Sequence, residues 1–106
     1  MQTLYIIYDP KNEKVLHQTY NEIMAKHKTI TYLIEKLKPI MIEIDKNKIK
    51  SDSFYVLYDI KNSKIITIEK YLNEILDYIR NIRHTNTKKS CLKNCRAIKV
   101  DLREEF

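Results

Sequence analysis

The hydrophobic pattern opens on an unbroken apolar and aromatic run, Leu4-Tyr5-Ile6-Ile7-Tyr8. Such a run has large side chains on both alternating faces, which predicts a central strand covered on two sides. Asp9-Pro10-Lys11-Asn12 follows and reads as a turn. Asp accepts backbone hydrogen bonds at the first position, Pro presets φ at the second, and Asn tolerates a left-handed conformation. The chain then becomes apolar again at Val15-Leu16, which predicts a hairpin.

From residue 23 the period changes. Ile23, Met24, His27, Ile30, Ile34 and Leu37 recur at helical spacing, and Pro39 stops the helix. Thr19 with Glu22 three residues later has the form of a capping box. The stripe is expected to cover a sheet. A further strand follows at Ile40-Met41-Ile42-Glu43-Ile44, and Asp45-Lys46-Asn47-Lys48 reads as another turn.

The whole pattern then repeats. Residues 4–16 and 54–66 share six of thirteen positions, namely Tyr5/Tyr55, Tyr8/Tyr58, Asp9/Asp59, Lys11/Lys61, Asn12/Asn62 and Lys14/Lys64. With a slip of two residues, Asn21-Glu22-Ile23-Met24 aligns with Asn73-Glu74-Ile75-Leu76. Leu72, Ile75, Leu76, Ile79 and Ile82 make a second helical stripe, ending near Arg83. Ile40-Met41-Ile42-Glu43-Ile44 is paired with Ala97-Ile98-Lys99-Val100-Asp101. The predicted fold is α+β: a two-layer sandwich built from a tandem duplication of a β-hairpin–helix–strand unit, sharing one mainly antiparallel sheet. Residues 1–106 form a single domain in this reading. Unit 1 spans about residues 3–50 and unit 2 about residues 53–106, with a basic insertion at about 84–96.

Composition changes the picture in two ways. The 106 residues contain no Gly and no Trp, against 17 Ile, 16 Lys, 8 Asn and 8 Tyr. Without Gly there is no P-loop, dinucleotide-binding fingerprint, nucleophile elbow or EF-hand loop. The same bias points to an AT-rich genome, such as that of a virus or parasite, so abundant Lys alone says little about nucleic acid. The position of the charge says more. Net charge is +6, yet residues 1–79 are nearly balanced, with 12 basic and 11 acidic side chains. Residues 80–99 hold Arg80, Arg83, Lys88, Lys89, Lys93, Arg96 and Lys99 and no acid. Coding bias does not clear acids from twenty consecutive residues. This segment is the candidate polyanion-binding site, with contacts mainly to phosphate and little sequence specificity.

The other chemistry-bearing residues each have two readings. Tyr5, Tyr8, Tyr55 and Tyr58 are either stacking platforms for bases or core and cross-strand packing. Asp9 and Asp59 are either a carboxylate pair or turn formers. His84, Cys91 and Cys95 are metal candidates short of a complete ligand set; the two Cys read otherwise as free or structural thiols, a local disulfide or a redox pair. No cofactor and no catalytic constellation is expected. No apolar run reaches membrane-spanning length and residues 1–3 carry no secretory pattern, so an intracellular protein is expected.

The functional expectation is a small, basic, non-enzymatic accessory protein that docks on nucleic acid or a ribonucleoprotein through residues 80–99. The alternative is a protein–protein interaction module, an inhibitor or assembly subunit of a virus or parasite, or a homodimer, engaging a partner through a sheet edge or an apolar patch.

Overall fold

The computed structural model describes residues 2–83, 93–104 and 106. It is an α+β protein with six strands and two long helices among these residues. The order is β1 (Thr3–Asp9), β2 (Lys14–Thr19), α1 (Glu22–Ile34), β3 (Ile40–Asp45), β4 (Ser53–Asp59), β5 (Lys64–Glu69), α2 (Leu72–Arg83) and β6 (Cys95–Asp101). The chain divides into two compact units, residues 1–49 with 102–106, and residues 50–101.

One shared sheet was expected, and the structure instead has two antiparallel three-stranded sheets, ordered β2-β1-β3 and β5-β4-β6. Both edges of β1 are taken by β2 and β3, and both edges of β4 by β5 and β6. β1 and β4 are therefore the central strands of their sheets. The central position expected for the first apolar run holds: every residue from Leu4 to Asp9 is buried. In unit 1, α1 packs across β1, β2 and β3; in unit 2, α2 packs on β4 and β5.

The two units correspond residue by residue through the hairpin and into the helix. Tyr5 pairs with Thr19 and Tyr55 with Glu69; Ile7 pairs with His17 and Leu57 with Thr67. Both registers shift at the same place, between Ile7 and Tyr8 and between Leu57 and Tyr58. This leaves Leu16 and Ile66 as the extra residues of two bulges, which sharpen local twist. No slip of two occurs in the helices. Ala25 and Ile75, fifty residues apart, are the fully buried helix positions among the described residues, whereas Ile23, which the slip would match to Ile75, is exposed. The last strands also differ from the expected alignment by one residue. Thr3 pairs with Asp45 and Ser53 with Asp101, so Ile42 matches Ile98 and Ile44 matches Val100. Because side chains alternate, only this register puts all four on the buried face.

Local chemistry departs from expectation at three points. The left-handed residues are Glu13 and Ser63, both at φ 53°, with Lys36 at φ 67°, and not Asn12 or Asn62. The Asn residues act through their side chains instead: Asn12 Nδ2 donates to Asp9 Oδ2 at 2.6 Å, and Asn62 Nδ2 to Asp59 Oδ2 at 2.7 Å. The cap of α1 is Asn21, whose Oδ1 accepts from Met24 N at 3.1 Å, while Thr19 Oγ1 accepts from Asn21 N. Finally, α1 stops at Ile34, well before Pro39. Lys36 occupies the left-handed site commonly held by Gly, and Leu37 N closes on Tyr32 O at 3.0 Å. The expected turn at Asp45 is a single 3-10 turn, Lys46–Lys48, capped by the Asp45 side chain.

Candidate functional site

Helix α1 is turned the opposite way from its expected orientation. Its sheet side is Ala25, buried, with Lys28, Thr29 and Tyr32 half-buried around it. The small Ala25 methyl lets the backbone approach the sheet, and Tyr32 Oη donates to Leu16 O at 3.1 Å. Thr29 and Thr31 satisfy their hydroxyls by donating to the carbonyls of Ala25 and His27, one turn back. The stripe expected to form the core points outward. Ile23, Met24, His27, Ile30 and Ile34 are all exposed, whereas Leu37, beyond the end of α1, is half-buried; Leu33, outside the expected stripe, is exposed as well. Five large apolar side chains on a thirteen-residue helix form a surface feature of the kind that marks docking. The pattern of spacing revealed the stripe but not its direction.

In α2 the division is different. Ile75 is fully buried, Tyr78 and Ile79 are half-buried, and Leu72 and Leu76 are exposed. The side chain of Ile82 lies outside the described residues.

The candidate polyanion site is only partly visible. Lys88, Lys89, His84 and Cys91 lie outside the described residues, as does the side chain of Arg83, which ends α2. Arg80 is exposed on α2, 3.6 Å from Asp77 Oδ1, a solvated pair worth little to stability. Lys93 is exposed just before β6. Cys95 and Arg96 are strand residues and not part of an insertion. Arg96 pairs with Tyr58 across the sheet and its Nη1 donates to Cys95 O at 3.1 Å. Lys99 is exposed on β6 opposite Tyr55. Five residues separate α1 from β3 and eleven separate α2 from β6, so the second connection is six longer.

The tyrosines divide unevenly. Tyr5, Tyr8 and Tyr58 are buried, which closes their ring faces to a stacking base; Tyr55 is half-buried. Their size and apolar rings make them core material of central strands. Asp9 and Asp59 are consumed by their own turns. Asp9 Oδ1 accepts from Lys11 N at 3.0 Å, and Asp59 Oδ1 from Asn62 N at 3.1 Å. The Asn side-chain hydrogen bond is the main reason each carboxyl sits below its ordinary pKa, so each stays ionised as a turn acceptor. Among the described residues no group of three His, Cys, Asp or Glu could hold a metal ion. No helix there is long and apolar enough to cross a membrane.

His17, which with His27 is a free candidate for the further ligand that a metal site at His84, Cys91 and Cys95 would need, lies in β2. It is 7% exposed on β2, with the Phe106 ring edge-on at 6.0 Å, and its Nε2 has no hydrogen-bond partner among the described residues. Burial first, and the charge of Lys28 second, push its pKa below the usual histidine value. No local pattern marks it, because its surroundings are assembled from β2, α1 and the C-terminal residues. Comparison of the chain with protein-family models, with curated proteins and with solved structures finds no match.

Proposed function

We propose that this protein is a non-enzymatic protein-interaction module whose docking surface is the outward face of α1 and whose partner presents a complementary apolar helix face. The observation that carries this reading is the exposure of Ile23, Met24, Ile30, Leu33 and Ile34 on one helix. Helix-in-groove and helix-to-helix recognition use apolar anchors at this spacing. The test is affinity purification of the wild-type chain and of Ile30→Glu, with and without nuclease. A partner retained through nuclease and moderate salt, and lost with Ile30→Glu, supports the reading. Retention by both chains alike counts against it.

The basic segment supports a second reading, docking on nucleic acid or a ribonucleoprotein. Arg80, Lys93 and Lys99 are exposed within a stretch, residues 80–99, that contains no acid. Binding by this route falls steeply with salt and disappears with nuclease treatment. Titration against mixed RNA and DNA at low salt decides it, and no binding there removes it.

The tandem duplication belongs with these proposals. Matching strand order, coincident bulges and two identical Asp–Asn turns support descent of both units from one. On that reading the outward face of α1 is where the first copy acquired a role of its own.

A further inference from the structure

The outward residues of α1 are arranged with a symmetry of their own. Ile23, His27, Ile30 and Ile34 are spaced four, three and four apart, which keeps them on one narrow seam of the helix. The seam lies opposite Ala25 and Tyr32, the residues turned to the sheet. Met24 and Leu33 flank it, one on each side. The spacing reads the same in both directions, so an antiparallel copy of the helix sets Ile23 level with Ile34 and His27 level with Ile30. A parallel copy would instead oppose His27 to His27. The antiparallel arrangement buries no like pair of imidazoles and opposes the two helix dipoles favourably.

We infer that the occupant of this seam is a second copy of the same chain, joined through an antiparallel α1–α1 pair about a two-fold axis. This rests on the reading of α1 as the docking surface and names its partner. Isologous pairing of one self-complementary patch is the commonest form of assembly. Area supports it as well. Ile23, Ile30 and Ile34 are exposed by 81%, 57% and 76%, and Met24 and Leu33 by about half. Together these present on the order of 500 Å² per copy, and two copies on the order of 1,000 Å², the lower limit for a specific interface. The charged neighbour Lys26 is held to its own helix by Glu22 at 3.0 Å, so it does not stand across the seam. An area at this lower limit belongs to weak association, for which a dissociation constant of about 1 to 100 µM is the range to test.

The test is sedimentation of the full chain from about 1 to 500 µM, a range that brackets this affinity. A monomer–dimer equilibrium in the wild type is expected. Ile30→Glu raises the dissociation constant at least about thirtyfold, and His27→Leu, which removes the polar member of the seam, lowers it about tenfold. These positions are exposed in the single chain, so at concentrations well below the wild-type dissociation constant the circular dichroism and melting of the variants stay at wild-type values. Orientation is read from charge pairing. Ile23→Glu and Ile34→Lys each weaken the dimer alone, while the double variant recovers association, because the new carboxylate lies level with the new ammonium only in the antiparallel pair. Failure to recover overturns the antiparallel geometry. A wild-type chain that stays monomeric, or a dimer indifferent to Ile30→Glu, overturns self-pairing. Binding of the apolar dye ANS separates the two levels of the argument. A monomer that binds ANS in an Ile30-dependent way retains the docking surface but loses the second copy as its occupant; a monomer without such binding loses both.

Discussion

Helices α1 and α2 occupy equivalent seats in their units and use them in opposite ways. Both follow a hairpin of the same register, and among the described residues each buries one side chain fully, Ala25 in α1 and Ile75 in α2. In α2 the seat takes a large aliphatic side chain with half-buried Tyr78 and Ile79 beside it. In α1 it takes the Ala25 methyl group, with Lys28, Thr29 and Tyr32 half-buried around it, and the large aliphatic residues face out. The seat requires one fully buried position against the sheet. It does not dictate which face of the helix carries the apolar residues: α2 turns Ile75 and Ile79 towards its sheet, and α1 leaves Ile23, Ile30 and Ile34 in solvent.

The largest expected effect contrasts the two seats directly. Ile75→Ala removes a fully buried side chain and costs about 2–5 kcal/mol in denaturant unfolding. The reverse change, Ala25→Ile, inserts volume under α1 and costs about 1–3 kcal/mol. Equal and small effects at both positions would show that the seats are not packed as described.

The turns should behave alike where the helices differ. Asp9→Ala and Asp59→Ala each remove the buried acceptor of a surface turn, and each lowers the melting temperature by a similar amount. A loss in only one unit would break the equivalence of the hairpins.

A smaller effect distinguishes unit 1 by pH. Burial, reinforced by Lys28, holds His17 below its ordinary pKa of 6.5. The unfolded chain then takes the proton more readily than the folded one. The neutral imidazole's contribution is fully present above pH 6.5 and is lost as pH falls below that value through the folded-state pKa. Melting followed from pH 7.5 to about pH 5 should show the decline in the wild type, and less of it in His17→Leu. The smallest effect belongs to the outward face of α1. Measured at protein concentrations where the wild type is monomeric, Ile30→Glu should change unfolding free energy by no more than about 0.5 kcal/mol, while weakening association at least about thirtyfold. A large loss of stability would mean that Ile30 is a core residue.

Local features were legible in the chain because local forces make them. The hairpins at residues 4–16 and 54–66, the Asp-initiated turns and both helices follow from short-range pattern. What misled was anything that depended on direction or register. The stripe at Ile23, Ile30 and Ile34 has the same periodicity whether it faces a sheet or water. The match of Ile40 with Ala97 was one residue off, since two alternating strands align nearly as well at a slip of one. Asn12 looked like the left-handed residue because Asn tolerates that conformation best, but its amide was worth more as a donor to Asp9.

By itself, the sequence determined the α+β class, the hairpin–helix–strand order in both halves, the central burial of residues 4–8, and the exclusion of phosphate-cradling Gly loops. These follow from period, apolar continuity and composition, which are properties of neighbours along the chain. Only the tertiary structure decided that the strands form two three-stranded sheets, that Ala25 and not Ile23 seats the first helix, and that Tyr5, Tyr8 and Tyr58 are closed to a stacking base. Those outcomes depend on which ladder edges are already occupied and on which helix face fits closest to a sheet, and both are settled between residues distant in the chain.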